Sequence, residues 1–576
     1  MATFTSPFSD VVHTNDIPSQ QDMEHVKELL LEPRKRLTAL DGKISELKRT
    51  LSNLETERKA LDDEIQAHEH FMAPFRRFPD DILQEIFMAC LPEYHNAVMS
   101  PEEAPLILTR ICRRWRTLSR STPRLWATLH LVCPDPVLKY NMSFLDAQDQ
   151  MKYYDNQTEQ HCGSVKDWLS LSGSCPLSIS FHAPYAQSEP VVWEPYFDIL
   201  ESYSHRWYRL EISIHYRDLA QRIKAIPAMR MPLLSHLHIV FLYQGTEVEG
   251  WETTDLFKVP KLQTLDVTQF PQPATILGIN IWRNISVLNL IRNGPSDYFW
   301  GHKTTLNEAH HIFSQCHQLT HCAIEIFDNP MSAAWSPGVT SISLPFLQSI
   351  TIFDVCNNLS LLFECFTDMS SIHTTSYHTE FLPSDDRRSP FITLLSRVKS
   401  QITRMTTCVS QYTLSDLRDV YSLLPHLTHL TITSERPHVA ETPVPFDQDF
   451  IDFLAPADGQ PPYCPRLQSM DCTFKSLFTV SDSQLISLLK RRMEASNVSC
   501  SGVVPLKEFR AVFVRHVQID VKSHLAKYVE NGPLTLSLTY TTRNEIKCRS
   551  QYQPHARLLT RDPQSGLVSI IPFQDL

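Results

Sequence analysis

Three patterns of apolar and polar positions divide the chain. Over residues 37–68 the positions Leu37, Leu40, Ile44, Leu47, Leu51, Leu54, Arg58, Leu61, Ile65 and His68 are spaced alternately by three and four. That is a heptad seam of about five repeats with Leu or Ile at most a and d positions. Lys, Arg, Asp and Glu crowd its flanks. The pattern predicts a coiled-coil helix over 23–72, with Pro33 standing where a helix could begin. Directly behind it, "FRRFPDDILQEIFMACLP" (75–92) predicts a short helix. Pro79 has φ fixed near the helical value, and Asp80 and Asp81 suit the positive end of the dipole. Ile82, Leu83, Ile86 and Phe87 form a broad apolar stripe, with Phe78 and Cys90 near it.

A loop, "PEYHNAVMSPEEAP", leads into "LILTRICRRWRTLSRSTPRLWATLHL" (106–131). There Leu106, Ile107, Ile111, Cys112, Trp115 and Leu118 fall at helical spacing, and a break at Thr122-Pro123 precedes Leu125 and Trp126. Short helices of this kind cannot make much of a core alone. They require a neighbour in the chain, a partner, or both.

From about residue 135 onward an L-x-x-L-x-I pattern recurs. It appears as Trp207/Leu210/Ile212, Leu234/Leu237/Ile239, Leu262/Leu265/Val267, Ile285/Leu288/Leu290, Leu319/Cys322/Ile324, Leu347/Ile350/Ile352, Leu427/Leu430/Ile432 and Leu467/Met470/Cys472. The first five intervals are 27, 28, 23, 34 and 28 residues, the period of a strand-plus-helix solenoid. The gap after Leu347 accommodates two weaker units, Met369/Ile372/Thr374 and Ile402/Met405/Thr407. Prolines two residues ahead of several units (Pro232, Pro260, Pro345, Pro425, Pro465) halt a helix and favour extended backbone. Helical stretches are predicted at 306–316, 357–366, 414–424 and 482–495. Residues 160–200 read as a cap at the start of the solenoid. A chance alternation of Leu in an ordinary α/β domain is the alternative.

The heptad edges carry information about a partner. The g positions read Arg36, Lys43, Thr50, Glu57, Glu64 and the e positions Asp41, Lys48, Glu55, Asp62. A parallel homodimer would set Lys43 against Lys48 and Glu57 against Asp62, which repel. The pattern predicts antiparallel self-association or a separate helical partner; the alternative is a single amphipathic helix lying on its own protein.

Composition narrows the function classes. At 576 residues, 42% hydrophobic and 20% charged, the chain can bury a core and form several domains or one repeat architecture. A net charge of −11 argues against nucleic-acid binding. No apolar run approaches the roughly 18 residues needed to span a bilayer. The segment "MATFTSPFSDVVHTNDIPSQQD" has neither a basic nor an apolar signal region, so residues 1–22 read as disordered and no secretory signal is seen. The 14 cysteines include no C-x-x-C, which predicts free thiols in the cytoplasm and/or nucleus. Cys316/Cys322 and Cys464/Cys472 lack the histidine spacing of a zinc site, and "AHEH" (67–70) lies in a charged helix. With only 13 glycines there is no phosphate-cradling loop, and neither H-E-x-x-H nor G-x-S-x-G occurs. No catalytic residue, metal or cofactor is indicated.

"FPDDILQEIF…ICRRW…STPRLWATL" resembles the F-box, in the F-box-like version abundant in mushroom-forming fungi, which often follows such a heptad helix. Phe78-Pro79 stands for Leu-Pro, Ile82-Leu83 and Ile86-Phe87 for the helix, Ile111-Cys112-Arg113-Arg114-Trp115 for Val-Cys-x-x-Trp, and Leu125-Trp126 for the end. Phe78 in place of Leu and the long loop 91–105 are departures from the common pattern. The resemblance covers about a tenth of the chain. It implies a three-helix module that binds a Skp-type adaptor and, through it, a cullin and the ubiquitin-charging machinery. The adaptor-binding candidates are Phe78, Pro79, Ile82, Leu83, Ile86, Phe87, Ile111, Cys112, Trp115 and Trp126. Among them Ile86, Ile111 and Trp115 read more as the module's core, and Phe78, Pro79, Ile82 and Leu83 as partner contacts.

The expected architecture is therefore α-helical coiled coil (23–72), F-box-like domain (75–131), linker and solenoid cap (132–205), an irregular α/β leucine-rich-repeat-like solenoid (206–540) and a tail (541–576). It departs from the regular repeat because the turn asparagine appears only once, at Asn293, so the turns must be satisfied in another way. A solenoid offers a long concave surface for a macromolecular client, to which Trp251, Trp282, Trp300 or Trp335 could contribute. The expected function is a non-catalytic substrate-recognition subunit of an SCF-type ubiquitin ligase; the alternative is a non-ligase scaffold assembling through its coiled coil and solenoid.

Overall fold

The structure is a computed structural model. It describes residues 7–133, 147–183, 192–241, 254–268, 282–291, 304–327, 341–379, 388–432, 454 and 463–540, with interruptions of one to eight residues inside those spans. Beyond them it describes the short strands Leu559–Arg561 and Val568–Ile570. Asn293, Trp251, Trp300, Trp335 and most of the 541–576 tail lie outside the described residues. The chain divides into two units, Met1–Glu85 and Ile86–Leu576.

The first unit is dominated by helix α1, Gln20–Met72, 53 residues long. Ser19 starts it: its Oγ accepts from the Asp22 N–H at 3.2 Å and donates to the Asp22 carboxylate at 2.5 Å. The hydroxyl thereby satisfies one backbone N–H that the first turn would leave unpaired, and the carboxylate holds the hydroxyl in place. Pro33 lies inside the helix rather than at its start. A proline there removes one i→i−4 bond, which a helix of this length survives; the serine cap, not the proline, sets the boundary. A turn at Pro74–Arg77 leads to helix α2, Asp80–Ala89, which begins in the first unit and ends in the second.

The second unit is built on one sheet of parallel strands laid down in chain order. Its strands are β1 Thr128–Val132, β2 Leu177–His182, β3 Trp207–Ile214, β4 His236–Phe241, β5 Thr264–Thr268, β6 Val287–Leu290 and β7 His321–Phe327. They continue as β8 Ser349–Val355, β9 Thr374–Thr379, β10 Arg404–Thr407, β11 His429–Ile432, β12 Ser469–Cys472, β13 Glu508–Phe513 and β14 Thr535–Tyr540, and a two-residue strand, Thr304–Thr305, pairs with the end of β7 off this path. Each pairs with the next, so this is the α/β solenoid-like region the period predicts. Helices such as Leu306–Gln315, Leu414–Ser422 and Asp482–Ser496 lie between strands. All three open on a capping box, at Thr305, Thr413 and Ser481.

Register explains the sequence period. Leu210, Leu237, Leu265, Leu288, Cys322 and Ile350 lie side by side on successive strands. The first apolar position of each unit, from Trp207 through Leu234, Leu262, Ile285, Leu319 and Leu347, is fully buried. Each such side chain contributes about 1.5–3 kcal/mol by leaving water. The weak unit between Leu347 and Leu427 has a different frame from the one expected. Ile350 pairs with Thr375, and Thr375 with Met405, so the unit reads Ile372/Thr375/Tyr377 and Thr374 faces the other way. Tyr377 fills an apolar position because its hydroxyl finds a partner, donating to Asp354 Oδ2 at 2.5 Å, while its ring stacks on Phe391 at 4.9 Å.

The turns are satisfied by the main chain in place of an asparagine ladder. The carbonyl of the residue just before a strand accepts two N–H groups from the next unit: Ser235 from Gln263 and Thr264, Gln263 from Ser286 and Val287, Ser286 from Thr320 and His321. The same rung recurs at Thr320, Gln348, His373, Thr403, Thr428 and Gln468. Hydroxyls reinforce it, as where Thr428 Oγ1 donates to the Thr403 carbonyl at 2.9 Å. This ladder constrains only the entry to each strand, which is why unit length can vary.

Residues 132–205, read as a linker and solenoid cap, contain helix Ala147–Leu171, strand β2 and helix Glu194–Ser202, and the sheet already begins at Thr128. The long loop 91–105 has a place of its own. Its Ala97 carbonyl accepts from the His130 N–H at 2.7 Å, and Val98 bridges His130. The Asn96 amide joins Ser180 and Ser178 at 3.0 and 2.8 Å. The loop thereby covers the sheet's first edge, which would otherwise be an open template. At the other end Asp482, fully buried, takes hydrogen bonds from Arg515, the Gln518 and Ile519 N–H groups and Tyr540.

Candidate functional site

Helix α2 sorts its apolar positions into two sets. Leu83 and Phe87, one turn apart, have no exposed surface, while Ile82 is 46% exposed and Pro79 is exposed. Ile86 and Phe78 are half-buried, and Phe78 packs edge-on against Phe75 at 5.3 Å. The Leu83 N–H bonds the Pro79 carbonyl at 3.1 Å, so the proline contributes an acceptor to the first turn while having no donor to satisfy.

In the second unit the 106–126 segment forms two short helices, Leu108–Ile111 and Arg113–Arg120, hinged at Cys112. Cys112 is extended, and its Sγ accepts from the Trp115 N–H at 3.4 Å, making it the cap of the second helix. Arg116 Nε donates to the Thr109 carbonyl at 2.7 Å and ties the two helices together. The Trp115 ring lies 4.8 Å from Phe87. Trp126 is buried with its Nε1–H donated to the Ser119 carbonyl at 2.8 Å, and its ring meets Trp168 edge-on at 4.9 Å.

Several candidates thus sit elsewhere than the sequence suggests. Leu83, Phe87 and Trp126 are buried in the folded chain and present no surface to a partner. A helix of ten residues has one inward face, and Leu83 and Phe87 at i and i+4 occupy it. Trp126 is inward because the bend at Thr122 brings its indole N–H back onto the Ser119 carbonyl. Ile111, read as core, is 57% exposed, because the chain breaks out of helical geometry at Cys112 and turns it to solvent. Pro79 and Ile82 on α2, and Ile111 and Cys112 on the following segment, are the exposed members of the set. Arg110, Arg113, Arg116 and Arg120 are also exposed along that segment, a feature that the apolar pattern alone did not single out.

The face of the sheet opposite the leucine columns is polar. Ser180, Glu211, His238, Asp266 and Asn289 follow one another in register on β2 to β6, all buried. His238 Nε2 lies 3.7 Å from Asp266 Oδ1. A buried imidazole–carboxylate pair of this kind is a rung between strands and offers no open reaction site. From β8 onward the same face is more exposed, with Thr351, Ser376, Thr406, Thr431 and Asp471 in line. Trp282 is buried in the short turn Trp282–Asn284 ahead of β6 and contributes no surface. Cys316, Cys322, Cys464 and Cys472 are buried, and burial pushes their thiols upward, Cys464 to about 12, so they are inert core groups. Among the described residues no group of three His, Cys, Asp or Glu is placed to hold a metal, and no helix is long and apolar enough to cross a membrane.

No family model and no curated protein matches this chain. Among solved structures it is similar to one described as the crystal structure of the Rad7 and Elc1 complex in yeast, at 13% identity and a TM-score of 0.31. The alignment covers 78% of this chain and 100% of that one. That score falls below the level at which two chains share a fold.

Proposed function

We propose that the protein is a non-catalytic substrate-recognition subunit of an SCF-type ubiquitin ligase, working in the cytoplasm or nucleus. The observation that carries this reading is the sorting of the F-box-like positions: Pro79 and Ile82 on α2, and Ile111 and Cys112 beyond it, stand exposed while their neighbours supply the core. Large apolar side chains held in solvent at the positions of a recognition motif support a docking partner. A Skp-type adaptor would cover them and bring a cullin, and the exposed arginines of the 106–120 segment favour an acidic rim on that adaptor. The open face of the sheet from β8 onward would hold a client protein, and the chain would act by proximity, presenting a client lysine to a charged ubiquitin carrier.

The test is co-purification of the full chain with a Skp-type adaptor, with Ile82→Asp and Ile111→Asp beside it. Both residues are exposed, so the variants keep the fold, and circular dichroism should be unchanged. Adaptor binding is expected to fall at least tenfold in each, and the wild-type complex to weaken as salt rises. Equal binding by both variants would sink the assignment. A folded wild-type chain that binds no adaptor would leave the scaffold reading, which the uncovered seam of α1 favours.

A further inference from the structure

Helix α1 carries an apolar seam that its own unit leaves in water. Leu37, Leu47, Leu51 and Leu54 are 57–68% exposed. Because the helix starts at Gln20 and passes through Pro33, the heptad frame extends upstream to take in Leu30 and Pro33 as further seam positions. We infer that α1 pairs with α1 of a second copy of this chain as an antiparallel two-stranded coiled coil, centred near Arg49.

Charge decides the direction. In a parallel, in-register dimer the g and e edges would bring together Lys43 with Lys48, Glu57 with Asp62 and Glu64 with Glu69, against a single favourable pair, Arg36 with Asp41. Turned antiparallel about residue 49, the seam closes in mixed layers: Leu47 opposite Leu51, Ile44 opposite Leu54 and Leu37 opposite Leu61 of the second copy. The basic stretch of one g edge, Arg36 and Lys43, then runs alongside the acidic stretch, Glu57 and Glu64, of the other. On the e edges Arg34 meets Asp62 and Lys27 meets Glu69, leaving Asp41 beside Glu55 and Lys48 beside its own copy as the unfavourable contacts. Arg58 falls opposite Leu40, a polar seam position of the kind that fixes alignment at some cost in stability. This pairing is independent of whether the chain binds an adaptor.

The experiment is sedimentation velocity on the full chain with carbodiimide coupling in a mixture of unlabelled and nitrogen-15-labelled protein. A dimer is expected at micromolar concentration, with mixed-isotope peptides joining Lys43 to Glu57. Within one helix those residues are about 21 Å apart, beyond a zero-length link, and equally distant in a parallel dimer. Leu47→Asp should give a monomer with the rest of the chain folded. Lys43→Glu should weaken the antiparallel dimer severalfold, and adding Glu57→Lys should restore it. In a parallel dimer Lys43→Glu would instead tighten association by relieving Lys43–Lys48. A monomer at tens of micromolar, or tightening by Lys43→Glu, would overturn the inference.

Discussion

His130 on β1 shows how one residue links the helical module to the sheet. Its N–H bonds Ala97, its Nδ1 lies 2.8 Å from Ser180 Oγ, and only 5% of the residue is exposed. Burial, then the nearby His182 and His95, lowers its pKa to about 3, so the ring is neutral at physiological pH. The unfolded chain takes up a proton near pH 6.5 and the folded one does not. The stability His130 confers is therefore complete above about pH 6.5 and declines as pH falls toward 3, by about 1.4 kcal/mol per unit. Urea unfolding at pH 7.5 and 5.5 should show that loss, and His130→Gln should reduce it; a pH-independent wild type would refute the assignment. Nothing in the sequence marked this residue, since a histidine in "ATLHL" has no pattern around it. Asn96 was equally hidden, because its partners Ser178 and Ser180 are more than 80 residues away.

At the scale of elements, the heptad helix was readable nearly to its ends, 23–72 against Gln20–Met72; the first turn was missed because it rests on the Ser19–Asp22 cap and not on the seam, and Pro33, where a helix could begin, lies inside it. Gly42, on the face opposite the seam, has nothing within 4 Å of where a Cβ would lie. Gly42→Ala should therefore stabilise α1 by about 1 kcal/mol, read as increased helicity on thermal melting, without changing association. A loss of helicity would show that the glycine has another role. For α2 the stripe Ile82, Leu83, Ile86, Phe87 was legible as apolar, yet which half faces inward was not. Helical spacing gives the width of a face, and only the packed neighbours choose its orientation.

Across the whole molecule, the repeat was visible because successive units stack identical positions, so Leu210, Leu237 and Leu265 become neighbours through register. It became illegible where chemistry replaced the consensus, as at Tyr377 with its buried Asp354 partner, and where unit length stretched around β1 and β2. The missing turn asparagines were a true feature of the sequence, and the paired N–H groups on carbonyls such as Ser286 and Thr428 are their physical substitute. The central claim is that an adaptor covers the exposed positions of the helical module while the sheet stays free for a client. Hydrogen–deuterium exchange of the full chain, with and without a Skp-type adaptor, tests it most directly. The account predicts slowed exchange confined to residues 79–90 and 106–120, with β8 to β14 unchanged. Protection along the strands with none in those two segments would contradict it.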